Sequence, residues 1–179
     1  LISVLRLLLV PLCVWLIISE AYGWAFLTFM AAGVSDGIDG YLARRFDWRT
    51  RLGAYLDPLA DKALLVSVFV TLGFLKLIPA WLAILVVSRD ALIVGAVLLS
   101  RLMDHPVKVR PLMVSKVNTV AQITFAVAVL GVAALGKPLA SLVDYGSIPV
   151  ALLTALSGAA YLATWLRHMA EQPRGDDRP

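Results

Sequence analysis

Seven stretches of this sequence carry no Asp, Glu, Lys or Arg: residues 7–19, 21–35, 63–75, 77–88, 91–100, 117–136 and 145–166. A helix needs roughly 20 mostly apolar residues to cross a bilayer. Within 179 residues these runs combine into six such segments joined by short loops. Transmembrane β-barrels alternate apolar and polar residues over about ten positions, and these runs do not alternate. Composition agrees: 60% of the residues are hydrophobic and 16% charged, against about 45–50% and about 25% in soluble domains. A disordered chain is excluded and an ordinary soluble domain disfavoured. The chain reads as an all-α integral membrane protein with six transmembrane helices.

The helices are expected at about residues 3–19, 24–45, 52–76, 79–101, 112–135 and 147–169. Ser19-Glu20 and the Tyr22-Gly23 turn end the first, and Gly136-Lys137-Pro138 closes the fifth. Pro79 opens the fourth, since proline suits a first helical turn. Residues 1–170 are expected to form a single membrane domain, with 171–179 as a polar tail. Because the chain opens on Leu1, a short N-terminal piece is expected to precede it. Cys13, the one cysteine, lies in an apolar run and reads as core packing.

Orientation follows from Lys and Arg, which favour cytoplasmic loops. One side carries Arg44, Arg45, Arg49, Arg51, Arg101, Lys108, Arg110, Lys116, Arg167, Arg174 and Arg178; the other carries Lys76 and Lys137. Both termini are therefore expected in the cytoplasm or its organellar equivalent. The net charge of +4 belongs to that bias, and no nucleic-acid partner is expected.

Four charges break the pattern. Asp36 and Asp39 fall near the end of the second expected helix, and Asp57 and Asp61 near the start of the third. Spacings of three and four put each pair on one helix face. Read as antiparallel neighbours, the two helices bring the four carboxylates to one depth near the inner edge of the hydrocarbon. Buried charges cost several kcal/mol each without compensation. Arg44 and Lys62 offset part of that, and divalent cations are the natural remainder. An all-oxygen set favours Mg²⁺ or Mn²⁺ over zinc. Gly33 and Gly37 read as close helix packing, whereas Gly40 and Gly53 abut the acidic cluster and leave the backbone open to a ligand.

Written out, the spacing is Asp36-x2-Asp39-Gly40-x2-Ala43-Arg44-x8-Gly53-x3-Asp57-x3-Asp61. It is identical to the signature of the CDP-alcohol phosphatidyltransferases, and the resemblance extends over nearly the whole chain. The resemblance implies a six-helix membrane fold, a homodimer, and a site for two metal ions at the cytoplasmic ends of the second and third helices. It implies Asp36, Asp39 and Asp57 as metal ligands, and Asp61 as a fourth ligand and the general base. Gly40, Ala43 and Gly53 match positions that accept the cytidine and ribose of CDP-diacylglycerol. Arg44 matches the position near the phosphates, and Thr50 sits in the loop facing the cytosine edge.

The acceptor alcohol is read from the second half of the chain. Arg89 and Asp90 lie in the middle of the fourth helix, where an arginine is costly unless functional. Adjacent helix residues point apart, so an Arg89–Asp90 pair is not expected and Arg89 is assigned to an acceptor phosphate. Lys116, with Asn118 beside it, and Arg110 are further candidates. Ser88-Arg89-Asp90 with Ser115-Lys116-Val117-Asn118-Thr119-Val120-Ala121-Gln122 most resembles family members that join CDP-diacylglycerol to phosphatidylglycerol, giving cardiolipin and CMP. Members that use glycerol 3-phosphate are similar, but more often carry a second lysine at the position of Asn118. One fewer cation suits a monoanionic diester better than a dianionic monoester. The expected acceptor is phosphatidylglycerol, with glycerol 3-phosphate as the alternative. The expected location is a bacterial cytoplasmic or mitochondrial inner membrane. A carboxylate-based ion transporter is the alternative from another class.

Overall fold

The computed structural model describes residues 2–45, 51–102 and 113–170, with side chains described over 7–35, 62–95 and 113–164. The described chain forms six helices: α1 (Ile2–Ile18), α2 (Tyr22–Arg45), α3 (Arg51–Phe74), α4 (Ala80–Leu102), α5 (Met113–Ala134) and α6 (Ala140–Ala170). No strand occurs among the described residues.

Each helix buries a stripe at the α-helical period. Cys13 and Ile17 face inward from α1, Ala25, Phe29 and Ala32 from α2, and Leu65, Val68, Phe69 and Leu72 from α3. Cys13 is fully buried, as expected of core packing. The outside is strongly apolar, with Trp15, Trp24, Phe74 and Leu135 all exposed, whereas Asn118, Gln122, Thr154 and Ser157 are 0% exposed. The core is largely apolar too, with these polar residues set within it. By length and hydropathy, Met113–Ala134 and Ala140–Thr164 can cross a bilayer, while Leu7–Ile18 and Lys62–Phe74 are apolar but shorter. Among the described residues, two helices therefore meet the length and hydropathy of a span, against six expected.

The helices pair as three hairpins, α1–α2, α3–α4 and α5–α6, closed into a ring by the contacts α1–α3, α4–α6 and α5–α2. Tight turns with one shared geometry end α1, α3 and α5. After α5, the Lys137 N–H donates to the Val132 carbonyl and the Gly136 N–H to that of Ala133, the Schellman pattern. The same pair of bonds joins Ala21 to Leu16 and Glu20 to Ile17, and Leu77 to Leu72 and Lys76 to Gly73. The turn residue is left-handed in each case: Glu20 at φ 58°, Lys76 at 58° and Gly136 at 64°. Glycine takes that conformation freely, and only the third turn carries one. Tyr22 accordingly lies inside α2, not in a turn.

Hairpin helices approach closely where glycines face a neighbour. A Cβ on Gly73 would meet that of Ala83 at 2.9 Å, and one on Gly146 would meet the Phe125 ring at 2.7 Å. α6 begins seven residues before the expected 147, and Gly146 within it packs against Phe125 of α5. Pro149 then lies inside the helix. Gly146→Ala is expected to lower the melting temperature of the detergent-solubilised protein, because overpacking a filled site costs typically about 1–3 kcal/mol. An unchanged midpoint would show that Phe125 yields without cost.

Among the described residues, α1 contacts both α2 and α3, and so does α5. The expected approach of α2 to α3 falls on 36–45 and 51–61, whose side chains lie outside the described residues.

Candidate active site

The acidic motif occupies the last turns of α2 and the first turns of α3. Asp36 and Asp39 lie nine and six residues before the end of α2, and Asp61 and Asp57 ten and six residues after the start of α3. Connected through 46–50, both segments belong to one end of the bundle. By backbone position the four aspartates fall on two matched levels, about 9 and about 14 Å in at 1.5 Å per residue. Gly40, Ala43, Arg44 and Gly53 share these helix ends. The side chains of all eight motif residues, together with Thr50, Arg110 and the 171–179 tail, lie outside the described residues. The donor set itself, four carboxylates and no sulfur or imidazole within the motif, fits hard divalent cations.

The described part of the site begins one residue beyond Asp61. Lys62 of α3 places Nζ 2.7 Å from Asp90 Oδ1 on α4. Arg89 Nη1 donates to the same Oδ1 at 2.6 Å. Arg89 Nη2 donates to Ser115 Oγ of α5 at 2.6 Å and to Ser157 Oγ of α6. The guanidinium carbon also lies 5.9 Å from the centre of the Tyr161 ring, within cation–π range. Three helices, α4, α5 and α6, therefore meet at one arginine that is 3% exposed, and α3 joins them through Asp90. A buried cation is tolerable only when paired and hydrogen-bonded, and Asp90, two hydroxyls and a ring meet that demand.

This geometry corrects one expectation. Arg89 and Asp90 do pair, inside the bundle: the long arginine side chain folds back across the angle between neighbouring helix positions, and the carboxylate is its strongest acceptor there. Lys62 pairs with Asp90; its expected role beside the acidic motif concerns side chains outside the described residues. Arg89 Nε and Asp90 Oδ2 are buried without a hydrogen-bond partner among the described residues.

Lys116 and Asn118 part company. Ser115 meets Arg89, while the next residue, Lys116, is exposed on α5. Asn118 is fully buried. Its Oδ1 accepts from Thr154 Oγ1 at 2.9 Å, and Thr154 in turn accepts from Gln122 Nε2 at 3.2 Å. Asn118 Nδ2, Gln122 Oε1 and Ser147 Oγ have no partner among the described residues. The sequence reading missed Asp90, Ser157 and Tyr161 as members of the cluster. A signal existed: Ser147, Thr154, Ser157 and Tyr161 recur at spacings of seven, three and four, one polar face on an otherwise apolar helix.

Residues 1–165 match the CDP-alcohol phosphatidyltransferase family. The chain belongs to that family. A rice (Oryza sativa subsp. japonica) relative, CDP-diacylglycerol–glycerol-3-phosphate 3-phosphatidyltransferase 1, chloroplastic, is 37% identical over a match covering 73% of this chain and 45% of the relative. Human cardiolipin synthase (CMP-forming) is 35% identical, with 72% and 48% covered. The cardiolipin synthase (CMP-forming) of Streptomyces coelicolor is 37% identical, with 58% and 51% covered. The chain spans about half the length of these curated relatives. Relatives of both acceptor types stand at similar identity.

Proposed function

We propose that this protein transfers the phosphatidyl group of CDP-diacylglycerol to phosphatidylglycerol, giving cardiolipin and CMP. The observation that carries the reading is the full aspartate motif at the paired ends of α2 and α3 in a chain of this family. Asp36, Asp39, Asp57 and Asp61 would hold two Mg²⁺ or Mn²⁺ ions, which when bound supply positive charge to the attacking and leaving oxygens. Gly40, Ala43 and Gly53 leave room for the nucleoside, Arg44 serves the donor phosphates, and Thr50 the cytosine edge. Asp61 takes the proton of the acceptor hydroxyl as that oxygen bonds to the β-phosphorus. The bond from that phosphorus to the CMP oxygen breaks, and CMP leaves. The donor already carries the energy of the step.

The Arg89 cluster serves the acceptor. Lys62, Arg89 and Asp90 together leave one net positive charge, which suits the monoanionic phosphodiester of phosphatidylglycerol. Lys116 and Arg110 add charge at the cytoplasmic face, and Asn118 offers its Nδ2 donor. The rice relative at 37% identity favours a second reading, in which glycerol 3-phosphate is the acceptor. The apolar outside of the bundle supports six membrane spans, the Lys and Arg bias supports a site on the cytoplasmic or matrix side, and a homodimer is expected as in the family resemblance.

The test is product analysis of the purified protein given CDP-diacylglycerol with each acceptor in turn. Cardiolipin from phosphatidylglycerol, with poor use of glycerol 3-phosphate, is the expected result. Efficient formation of phosphatidylglycerophosphate with no cardiolipin would overturn it in favour of the second reading.

A further inference from the structure

We propose that Lys62 is the acceptor-phosphate contact of this site, and that Asp90 is the positioning residue that holds it there. The inference rests on the reading above that a phosphate-bearing alcohol binds beside Asp61. Within the Lys62–Asp90–Arg89 chain, exposure separates the roles. Lys62 is 35% exposed, against 5% for the Asp90 side chain and 3% for that of Arg89. Arg89 is spent inward, on Asp90, Ser115, Ser157 and the Tyr161 ring. Only Lys62 combines a charge with an opening, and it follows the proposed base directly in the chain.

The charge balance points the same way. Arg89 and Asp90 already neutralise each other, so Lys62 is not needed to balance the buried pair. Among the described residues, adding it leaves one net positive charge at the edge of the bundle, with the buried Arg89 Nε also lacking a partner there. A partly exposed ammonium and a buried unused N–H donor are a site for an oxyanion. Both candidate acceptors present one: phosphatidylglycerol as a diester and glycerol 3-phosphate as a monoester. A lysine side chain left alone samples many rotamers. Asp90 Oδ1, itself held by Arg89 across α4, α5 and α6, selects those that place Nζ beside it.

Steady-state kinetics on the full chain with CDP-diacylglycerol and each acceptor separates this from a structural role. Lys62→Met is expected to raise the acceptor KM about 10- to 100-fold, as for loss of one hydrogen bond to a charged group, while the donor KM stays unchanged. Lys62→Arg is expected to restore most of the loss. Asp90→Asn is expected to raise the acceptor KM in the unmodified protein but to add nothing in the Lys62→Met background, the signature of action through a single residue. An unchanged acceptor KM in Lys62→Met would overturn the proposal. So would a rise in the donor KM instead, which would assign Lys62 to the acidic motif, and so would additive effects of the two substitutions. If Asp90→Asn fails to fold, the two Lys62 variants still decide. Absence of CMP release from the unmodified protein with either acceptor would instead defeat the functional reading, before any variant is made.

Discussion

Asp57→Ala is expected to abolish both divalent-cation binding and phosphatidyl transfer. Asp57 opens the second half of the acidic motif, six residues into α3, and the family resemblance implies a metal-ligand role for it. Removing it would take a carboxylate from the residues that would hold the metal and leave the site short of a ligand. Metal binding by calorimetry and CMP release by chromatography would be measured on one preparation. Near-normal turnover with intact metal binding would remove Asp57 from the site. Loss of both in a protein whose melting temperature is unchanged would place the defect in the metal site and not in folding.

The second large effect is expected from Asp61→Asn. The amide keeps the shape of the side chain and one ligand oxygen but cannot accept a proton. General-base catalysis contributes about 10²–10⁴-fold, so the rate should fall at least by the lower figure while CDP-diacylglycerol still binds. The informative pattern is a low kcat with an unchanged donor KM, the mark of an interaction made in the transition state. A variant that retained most of its rate would leave Asp61 as a metal ligand or packing residue and require a base elsewhere.

The parts of the molecule legible in the sequence are those encoded by neighbours in the chain. Charge-free runs locate the helices because the apolar outside and apolar core both exclude charge. The acidic motif is legible because its two halves flank one short connection. Gly136 announces its turn, but Glu20 and Lys76 adopt the same left-handed geometry without glycine, so their turns carry no comparable signal. The start of α6 lies seven residues before the expected one, and the packing of Gly146 against Phe125 is a contact between helices that sequence does not display.

Relations across the ring were not legible. Nothing local states that α1 and α5 each contact both α2 and α3 among the described residues. The Arg89–Asp90 pair escaped for a different reason. Helix-spacing rules describe where Cβ atoms point, whereas an arginine reaches beyond its Cβ direction when buried surroundings offer one carboxylate. Ser157 and Tyr161 could be tied to Arg89 only by seeing α6 against α4. The acidic motif therefore belongs to sequence reading, and the cationic half of the site to structure.

The central claim, metal-dependent transfer of a phosphatidyl group at the aspartate motif, is tested most directly by following CMP release from CDP-diacylglycerol by the unmodified protein through one cycle of chelation. With phosphatidylglycerol present, CMP and cardiolipin are predicted to form in equal amounts, to stop on addition of EDTA, and to resume when Mg²⁺ or Mn²⁺ is restored. Undiminished CMP release in excess chelator would contradict the metal site, and the absence of CMP under every condition would contradict the transferase itself.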